Sequence, residues 1–296
     1  MNGLVRLLLA VVAMSAYPLA HAAAITFSAS GANPAGIQAT VDAFRTSLGT
    51  LNSNVPGSFG TGRREINWDG VPDALSAPNN LPANFFNVNS PRGVIFGTPG
   101  TGFQVSATAA SGTPVEFGNI NPTYPDLFQT FSPQRLFTAL GSDIVDVNFF
   151  VPGSATPAFT TAFGAVFTDV DLASVTSLQF FGLSNQSLGT FFAPVGPVAN
   201  ASLSFLGVQF NAGETIGRVR ITSGNSALGP NETGEGGVDL VVMDDFIYAE
   251  PRAAAIPEPP TTLLLALSFV AMTGLHRMQL LRSRIRRKSH GSVLSR

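Results

Sequence analysis

Short β-prone runs separated by turn-forming residues are the feature that most constrains how this 296-residue chain folds. In the second half, such runs recur roughly every 8–14 residues with Gly, Asn and Ser between them, which is typical of an antiparallel β-sandwich. The six runs cover residues 162–169, 176–181, 189–192, 203–210, 216–223 and 238–248. In one of them Val219 and Ile221 alternate with Arg218 and Arg220, so the faces of that strand differ in polarity. We therefore predict an all-β fold, an antiparallel β-sandwich, for residues 23–250.

The first half adds one amphipathic helix to these strands. Its apolar stripe consists of Ile37, Val41, Phe44 and Leu48. Asn33 is a candidate N-cap with Pro34 at the first helical position, and Gly49 ends the pattern. We expect this helix to pack on the face of a sheet, because such a stripe is buried against a core. Further strands are predicted at 25–28, 93–96, 102–106, 115–117 and 144–151, and residues 135–140 fit either a strand or a single helical turn.

The N-terminus has the three parts of a secretory signal peptide. A positively charged start precedes the apolar run 7–14, and Ala20 and Ala22 match the small-x-small cleavage pattern. We predict that residues 1–22 are removed and that the mature chain begins at Ala23.

The C-terminal segment 256–288 contains Pro257, Glu258 and Pro259, then the uncharged run 261–275, then an arginine-rich cluster. As a helix the uncharged run rises roughly 22 Å, which is short for a bilayer core unless the helix extends slightly further. We predict a transmembrane helix here, preceded by a linker at 251–255. The basic cluster and the tail 289–296 belong on the cytoplasmic side, which leaves the preceding chain outside.

This order of motifs resembles the PEP-CTERM sorting signal of Gram-negative bacteria. The resemblance covers about the last 35 residues, together with the N-terminal signal. It implies export by the secretion machinery, a precursor anchored in the inner membrane, and cleavage near Pro257–Glu258–Pro259 by the membrane protease exosortase. It also implies a final location at the cell surface or in an exopolysaccharide or biofilm matrix. The motif is then a processing site, so Glu258 is not catalytic. The alternative is a plain single-span anchor with a proline-stiffened linker.

Missing residue types exclude several enzyme classes. The chain has no cysteine, its three histidines are His21, His276 and His290, and its single lysine is Lys288. The expected mature domain therefore has no histidine for a Ser-His-Asp triad, no thiol or imidazole for a typical zinc site, and no P-loop lysine. Hydrolysis by paired carboxylates and oxygen-only calcium coordination remain possible.

The charge is unevenly distributed along the chain. Eight of the sixteen Lys and Arg residues lie at the two ends, whereas all eighteen Asp and Glu residues precede Pro259. The part between the ends therefore carries a net charge of about −10. We expect no nucleic-acid partner, because phosphates must be neutralised by Lys and Arg.

The segment 63–73 concentrates charge, turn residues and the only tryptophan. Its candidate ligand residues are Trp68, Asp69, Asp73, Arg63 and Arg64. On one interpretation this is a carbohydrate-binding loop in which Trp68 presents a flat ring to a sugar. On the other, which we favour, Trp68 is a core residue beside a structural turn with a local ion pair.

Two groups of aspartates lie next to predicted strands: Asp169 with Asp171, and Asp239 with Asp244 and Asp245. The second half looks like the jelly-roll or lectin-like sandwiches, which often hold a structural Ca²⁺ at such strand ends. Calcium requires six to eight oxygen ligands. The alternatives are exposed carboxylates that cap turns, which we favour, and the paired carboxylates of a glycosidase, which lie roughly 5–9 Å apart.

Three functions are compatible with these features. We favour a non-enzymatic surface or matrix protein without a cofactor, which associates with polysaccharide. The second is a carbohydrate-binding module that uses an exposed Trp68, and the third is a carboxylate-dependent glycoside hydrolase. The ectodomain forms either one domain or two halves, 23–152 and 153–250.

Overall fold

The computed structural model describes residues 24–254. The predicted signal peptide with Ala20 and Ala22, the Pro257–Glu258–Pro259 motif and the transmembrane run 261–275 lie outside the described residues. Within 24–254, no helix combines the length and the apolarity needed to cross a membrane.

The described chain is mostly β-structure with three α-helices. The helices are α1 (Pro34–Leu48), α2 (Phe85–Val88) and α3 (Tyr124–Leu127). The strands are β1 (Ile25–Gly31), β2 (Arg63–Ile66), β3 (Val94–Gly97), β4 (Gly102–Val105), β5 (Phe137–Leu140), β6 (Ile144–Phe149), β7 (Ala158–Phe159), β8 (Ala162–Thr168), β9 (Ser177–Gly182), β10 (Ser187–Phe192), β11 (Leu203–Gln209), β12 (Ile216–Thr222), β13 (Val242–Ala249) and β14 (Arg252–Ala253).

Two large antiparallel sheets contain most of these strands. The seven-stranded sheet has the order β1-β11-β8-β13-β5-β4, and β2 also pairs with β13. The five-stranded sheet has the order β10-β9-β12-β6-β3, and β7 pairs separately with β14. Both large sheets combine strands from before and after residue 152, so segments 23–152 and 153–250 are interleaved in the fold.

The seven-stranded sheet is covered on both faces. Along β8, Phe163 and Phe167 belong to the cluster that includes apolar residues of the five-stranded sheet, such as Val219. The alternate residues Ala162 and Val166 pack with α1 on the opposite face. All seven residues of β8 are consequently buried, as expected for a strand between two layers.

Helix α1 confirms the predicted stripe, since all four of its apolar residues are buried. Asn33 precedes the helix in an extended conformation, but its side chain makes no capping hydrogen bond. Phe44 sits over Gly164 and Gly207, which are paired across β8 and β11. A Cβ on either glycine would lie 2.9 Å from the Phe44 ring, so the ring occupies space that only glycines leave available.

All six predicted strands of the second half are present, the last beginning at Val242 rather than at 238. The predicted strand at 115–117 is wrong. Glu116 and Phe117 have positive φ angles of 49° and 62°, which a strand does not tolerate, and they lie in a turn instead. Residues 135–140 form the strand alternative, as β5. The sequence interpretation missed α2, α3 and the strands β2, β7 and β14. Strand β14 lies within the segment 251–255, which we predicted as a linker, and it pairs with β7.

Candidate functional site

The segment 63–73 is held against β13 by β2. Ile66 pairs with Phe246 at one end of β2, and Arg63 pairs with Ala249 at the other. The two-residue period of the strand buries Arg64 and Ile66 and leaves Arg63 and Glu65 partly exposed. Residues 63–66 are therefore part of the sheet, and residues 67–73 follow as turns outside it.

Trp68 is buried, with 1% of its surface exposed. Its ring stacks on Phe137 with centroids 4.0 Å apart, and Phe86 and Phe246 pack edge-on against it. Its indole Nε1 donates a 2.7 Å hydrogen bond to the carbonyl oxygen of Asp244. The favoured interpretation, a core tryptophan, agrees with this burial, and the alternative of an exposed Trp68 that contacts a sugar is wrong. The ring packs against aromatic neighbours in the core, and its one hydrogen-bond donor has an acceptor there.

Arg64 forms a buried ion pair with Glu250, both side chains being almost entirely inaccessible. Arg64 Nε and Nη2 donate to the two carboxylate oxygens of Glu250 over 2.7 and 2.9 Å. Its other donors reach the carbonyl oxygens of Ser53, Gly57 and Pro91. All five guanidinium N–H groups therefore have acceptors, which is the condition for a buried charge to be tolerated.

Asp69 and Asp73 attach this segment to residues 134 and 135. Asp69 Oδ1 accepts a 2.7 Å hydrogen bond from the backbone N–H of Gln134. Asp73 Oδ1 accepts one of 2.5 Å from Arg135 Nη2. Burial raises the pKa of Asp69 from its ordinary value. Both carboxylates have partners within the fold.

Asp244 and Asp245 lie in a β-bulge between Met243 and Phe246, where β13 shifts register against β8. Asp244 Oδ2 accepts the backbone N–H groups of residues 131 and 132, at 2.6 and 3.1 Å. Asp245 accepts a 2.6 Å bond from the Ser132 hydroxyl. Burial, together with the neighbouring Asp245 carboxylate, raises the pKa of Asp244 well above its ordinary value.

Asp169, Asp171 and Asp239 form a second, separate set. Asp239 accepts the backbone N–H groups of Asp171 and Leu172, and Asp169 accepts that of Ala201. Burial and then the charges of Asp171 and Asp239 raise the pKa of Asp169 to about 8. The two aspartate sets share no hydrogen-bond partner.

The described residues give no positive support to a calcium site at these aspartates. Across residues 24–254, no group of three or more His, Cys, Asp or Glu side chains has an arrangement that could hold a metal ion. Both oxygens of Asp239 already accept backbone donors. The favoured expectation of exposed carboxylates is wrong for Asp169, Asp239, Asp244 and Asp245, which are buried. These four side chains accept backbone N–H groups or a side-chain hydroxyl, so they bind loop segments within the fold.

A polar cavity of about 240 Å³ lies where α1, β2 and the β13 bulge meet the loop 51–54. We call it the Arg45–Arg92 cavity. Its principal lining side chains are Arg45, Glu65, Asn67, Arg92, Ser132 and Asp245. The cavity thus uses two residues of the segment that the sequence singled out, Glu65 and Asn67, but not Trp68.

The two arginines of this cavity have different partners. Arg45 Nη2 lies 3.0 Å from a Glu65 oxygen and 2.9 Å from an Asp245 oxygen, and Asp42 is 3.6 Å from Arg45 Nη1. Arg92 donates through Nε to the carbonyl oxygen of Glu65 over 2.8 Å and through Nη1 to the Ser90 hydroxyl. Among the residues that the structure describes, no carboxylate pairs with Arg92.

Burial lowers the pKa of Arg92, and the nearby positive charge of Arg64 lowers it further. The guanidinium also lies over the Phe86 ring, 5.2 Å from its centroid. Arg92 therefore places a partly desolvated positive charge beside the cavity, and no described carboxylate forms an ion pair with it.

Sequence reasoning identified Asp245 and the segment 63–73 but missed Arg45, Arg92 and Ser132. A signal existed for Arg45, because it lies four residues after Val41 and so flanks the buried stripe of α1. Arg92 precedes a short strand in a Pro- and Ser-containing turn. Its position in the cavity depends on the pairing of β2 with β13, which no local pattern encodes.

No protein-family model matches this chain. Neither a curated protein nor a solved structure matches it. Its function is therefore inferred from the sequence signals and from the geometry described above.

Proposed function

We propose that this chain is an exported, non-enzymatic protein that exosortase processes at its C-terminus and that acts at the cell surface or in an exopolysaccharide or biofilm matrix. The observation that carries the proposal is the order of Pro257–Glu258–Pro259, an uncharged apolar run and an arginine cluster. The N-terminal signal peptide supports the same route.

The position of the motif in the chain supports processing. The last strand, β14, ends at Ala253, and the motif begins at Pro257. Cleavage there leaves the strands and the core of residues 24–253 intact. The precursor is held in the inner membrane through 261–275, and cleavage by exosortase releases the acidic ectodomain from this anchor.

The packing inside the ectodomain fits a protein that must stay folded outside the cell without disulfide bonds. The buried Arg64–Glu250 pair links β2 and the end of β13 to the loop carbonyls of Ser53 and Gly57. Helix α1 covers one face of the larger sheet and the second sheet packs on the other. We further propose that the two sheets form a sandwich of the jelly-roll or lectin-like type.

Carbohydrate binding is the second candidate function. The observation that favours it is the Arg45–Arg92 cavity, whose amide, hydroxyl and charged groups are of the types that hold sugar hydroxyls. Binding would use this cavity and not the buried Trp68.

Mass spectrometry of the native protein from its host, with and without exosortase, tests the principal proposal. We expect a chain that begins at Ala23 and ends near residues 257–259 in the parent strain. In the strain without exosortase, we expect the tail to be retained in the membrane fraction. A variant with alanine at positions 257–259 should behave like the protease deletion. Identical C-termini in both strains would contradict the proposal.

A further inference from the structure

We propose that the Arg45–Arg92 cavity is a binding site for a small monocarboxylate that carries hydroxyl groups, a ligand the size of one acidic sugar ring. This inference goes beyond export and processing, and it stands whether or not the C-terminal motif is cleaved. It rests on the unpaired charge of Arg92, on the hydrogen-bonding groups around it and on the size of the cavity.

Arg92 is the anchor for the carboxylate. Its Nε and Nη1 contact the Glu65 carbonyl and the Ser90 hydroxyl, while Nη2 donates to no other described group. Of the eight arginines in residues 24–254, six pair with carboxylates, and only Arg92 and Arg252 do not. Arg252 is exposed to solvent, whereas Arg92 is half-buried and faces the cavity. A guanidinium in that position gains most from a planar, bidentate anion such as a carboxylate.

The charges on the opposite wall favour a single negative charge on the ligand. Glu65 and Asp245 line the same cavity, and Arg45 lies between them. A second negative charge on the ligand would approach these carboxylates, which disfavours a phosphate dianion. A ligand with one carboxylate therefore suits Arg92 better than a ligand with two negative charges.

The remaining polar groups suit hydroxyls. Asn67 uses its amide nitrogen to contact Asp69, and Asn52 uses its own to contact Thr61 and Glu250. Within the described residues, the side-chain oxygens of both asparagines accept no hydrogen bond. Both side chains line the cavity, so their oxygens are available to ligand hydroxyl groups.

The dimensions limit the ligand to a single ring. A cavity of about 240 Å³ is smaller than the roughly 300–1,000 Å³ pockets that enclose drug-sized molecules. Leu51, whose surface is 51% exposed, lies at the same cavity and offers an apolar contact to the C–H face of a sugar ring. Longer saccharides would place one ring in the cavity and extend along the surface.

Isothermal titration of the chain with sodium glucuronate, glucose and inorganic phosphate tests this proposal. The processed protein is used, or the full chain in detergent if processing does not occur. We expect glucuronate to bind at least about tenfold more tightly than glucose or phosphate. We expect Arg92→Met to weaken glucuronate binding about tenfold to hundredfold, as loss of a charged hydrogen-bond pair does. Arg252→Met is the matched control, and it should leave binding unchanged.

Uronate oligomers distinguish a free acidic sugar from a polymer residue. Binding of the monomer, or of the oligomer alone, supports the proposal if Arg92→Met abolishes it. Arg92→Lys keeps the charge without the planar fork and should give an intermediate loss, which serves if Arg92→Met does not fold. Tighter binding of phosphate, absence of binding to both uronate forms, or equal binding by the wild type and a folded Arg92 variant would overturn the proposal.

Discussion

Arg64 and Arg92 lie close together in the fold but have opposite sets of partners. Arg64 is fully buried, and each of its five N–H groups meets an acceptor, two of them on Glu250. Arg92 is half-buried, has no carboxylate among the described residues, and borders a cavity. Arg64 uses all of its N–H donors within the fold, whereas Nη2 of Arg92 donates to no described group. If Arg92 binds the proposed ligand, the partners around each arginine, and not residue type or proximity, distinguish the structural charge from the binding one.

Removal of Arg64, whose donors all have acceptors, should cause the largest loss of stability. Arg64→Met leaves Glu250 buried without its cation, and we expect a loss of about 3–5 kcal/mol in the free energy of unfolding. Urea denaturation followed by circular dichroism measures this loss. The double variant Arg64→Met/Glu250→Met should recover much of it, because both charges are then absent. A loss below about 1 kcal/mol for Arg64→Met would show that the two arginines are energetically alike.

Substitution of Trp68 should cause the next largest loss of stability. Its indole connects the segment 63–73 to the bulge of β13. Trp68→Phe keeps an aromatic ring but leaves the Asp244 carbonyl without its donor, so we expect a loss of about 1–3 kcal/mol. Glucuronate binding should stay unchanged, since the ring is not in the cavity. Thermal unfolding and titration of the same variant separate the two effects. If the folded Trp68→Phe protein no longer bound glucuronate, Trp68 would have a role in ligand binding.

Local pattern was sufficient for α1 and for the strands of the second half. The buried stripe of α1 and the alternation in β12 are encoded within a few residues of one another. The environment of Trp68 is not encoded locally. It depends on a φ angle of 66° and on contacts with Phe137 and Asp244, both distant in sequence. The site was missed for the same reason. Turn residues and charges marked the segment 63–73, but pairing with β13 determined which side chains are buried.

Asp169 extends the comparison to a buried carboxyl group with no cation paired to it among the described residues. Its pKa of about 8 in the folded protein lies above its value of about 4 in the unfolded chain. The protonated form therefore contributes stability that is fully present below pH 4, declines as pH rises, and is lost above pH 8. Asp169→Asn keeps an acceptor for Ala201 and suits the positive φ of 70°.

We expect Asp169→Asn to gain on the order of 1 kcal/mol over the wild type at pH 9 and nothing at pH 4. Unfolding by urea across this pH range measures the difference. The exposed Asp126→Asn serves as the control and should follow the wild-type curve. Parallel curves for Asp169→Asn and the wild type would mean that Asp169 is ionised throughout this range.

Arg92 should give the smallest change in stability, and this result would sharpen the contrast with Arg64. Arg92→Met loses the bonds to the Glu65 carbonyl and the Ser90 hydroxyl, but it leaves no carboxylate unpaired and keeps an apolar contact with Phe86. We expect less than about 1 kcal/mol of destabilisation by urea denaturation. A loss as large as that of Arg64→Met would identify Arg92 as a second structural cation. A small loss combined with weakened glucuronate binding would mean that one segment of sheet supports two arginines with separate roles. The difference between them would then arise from the number of acceptors that the fold supplies to each.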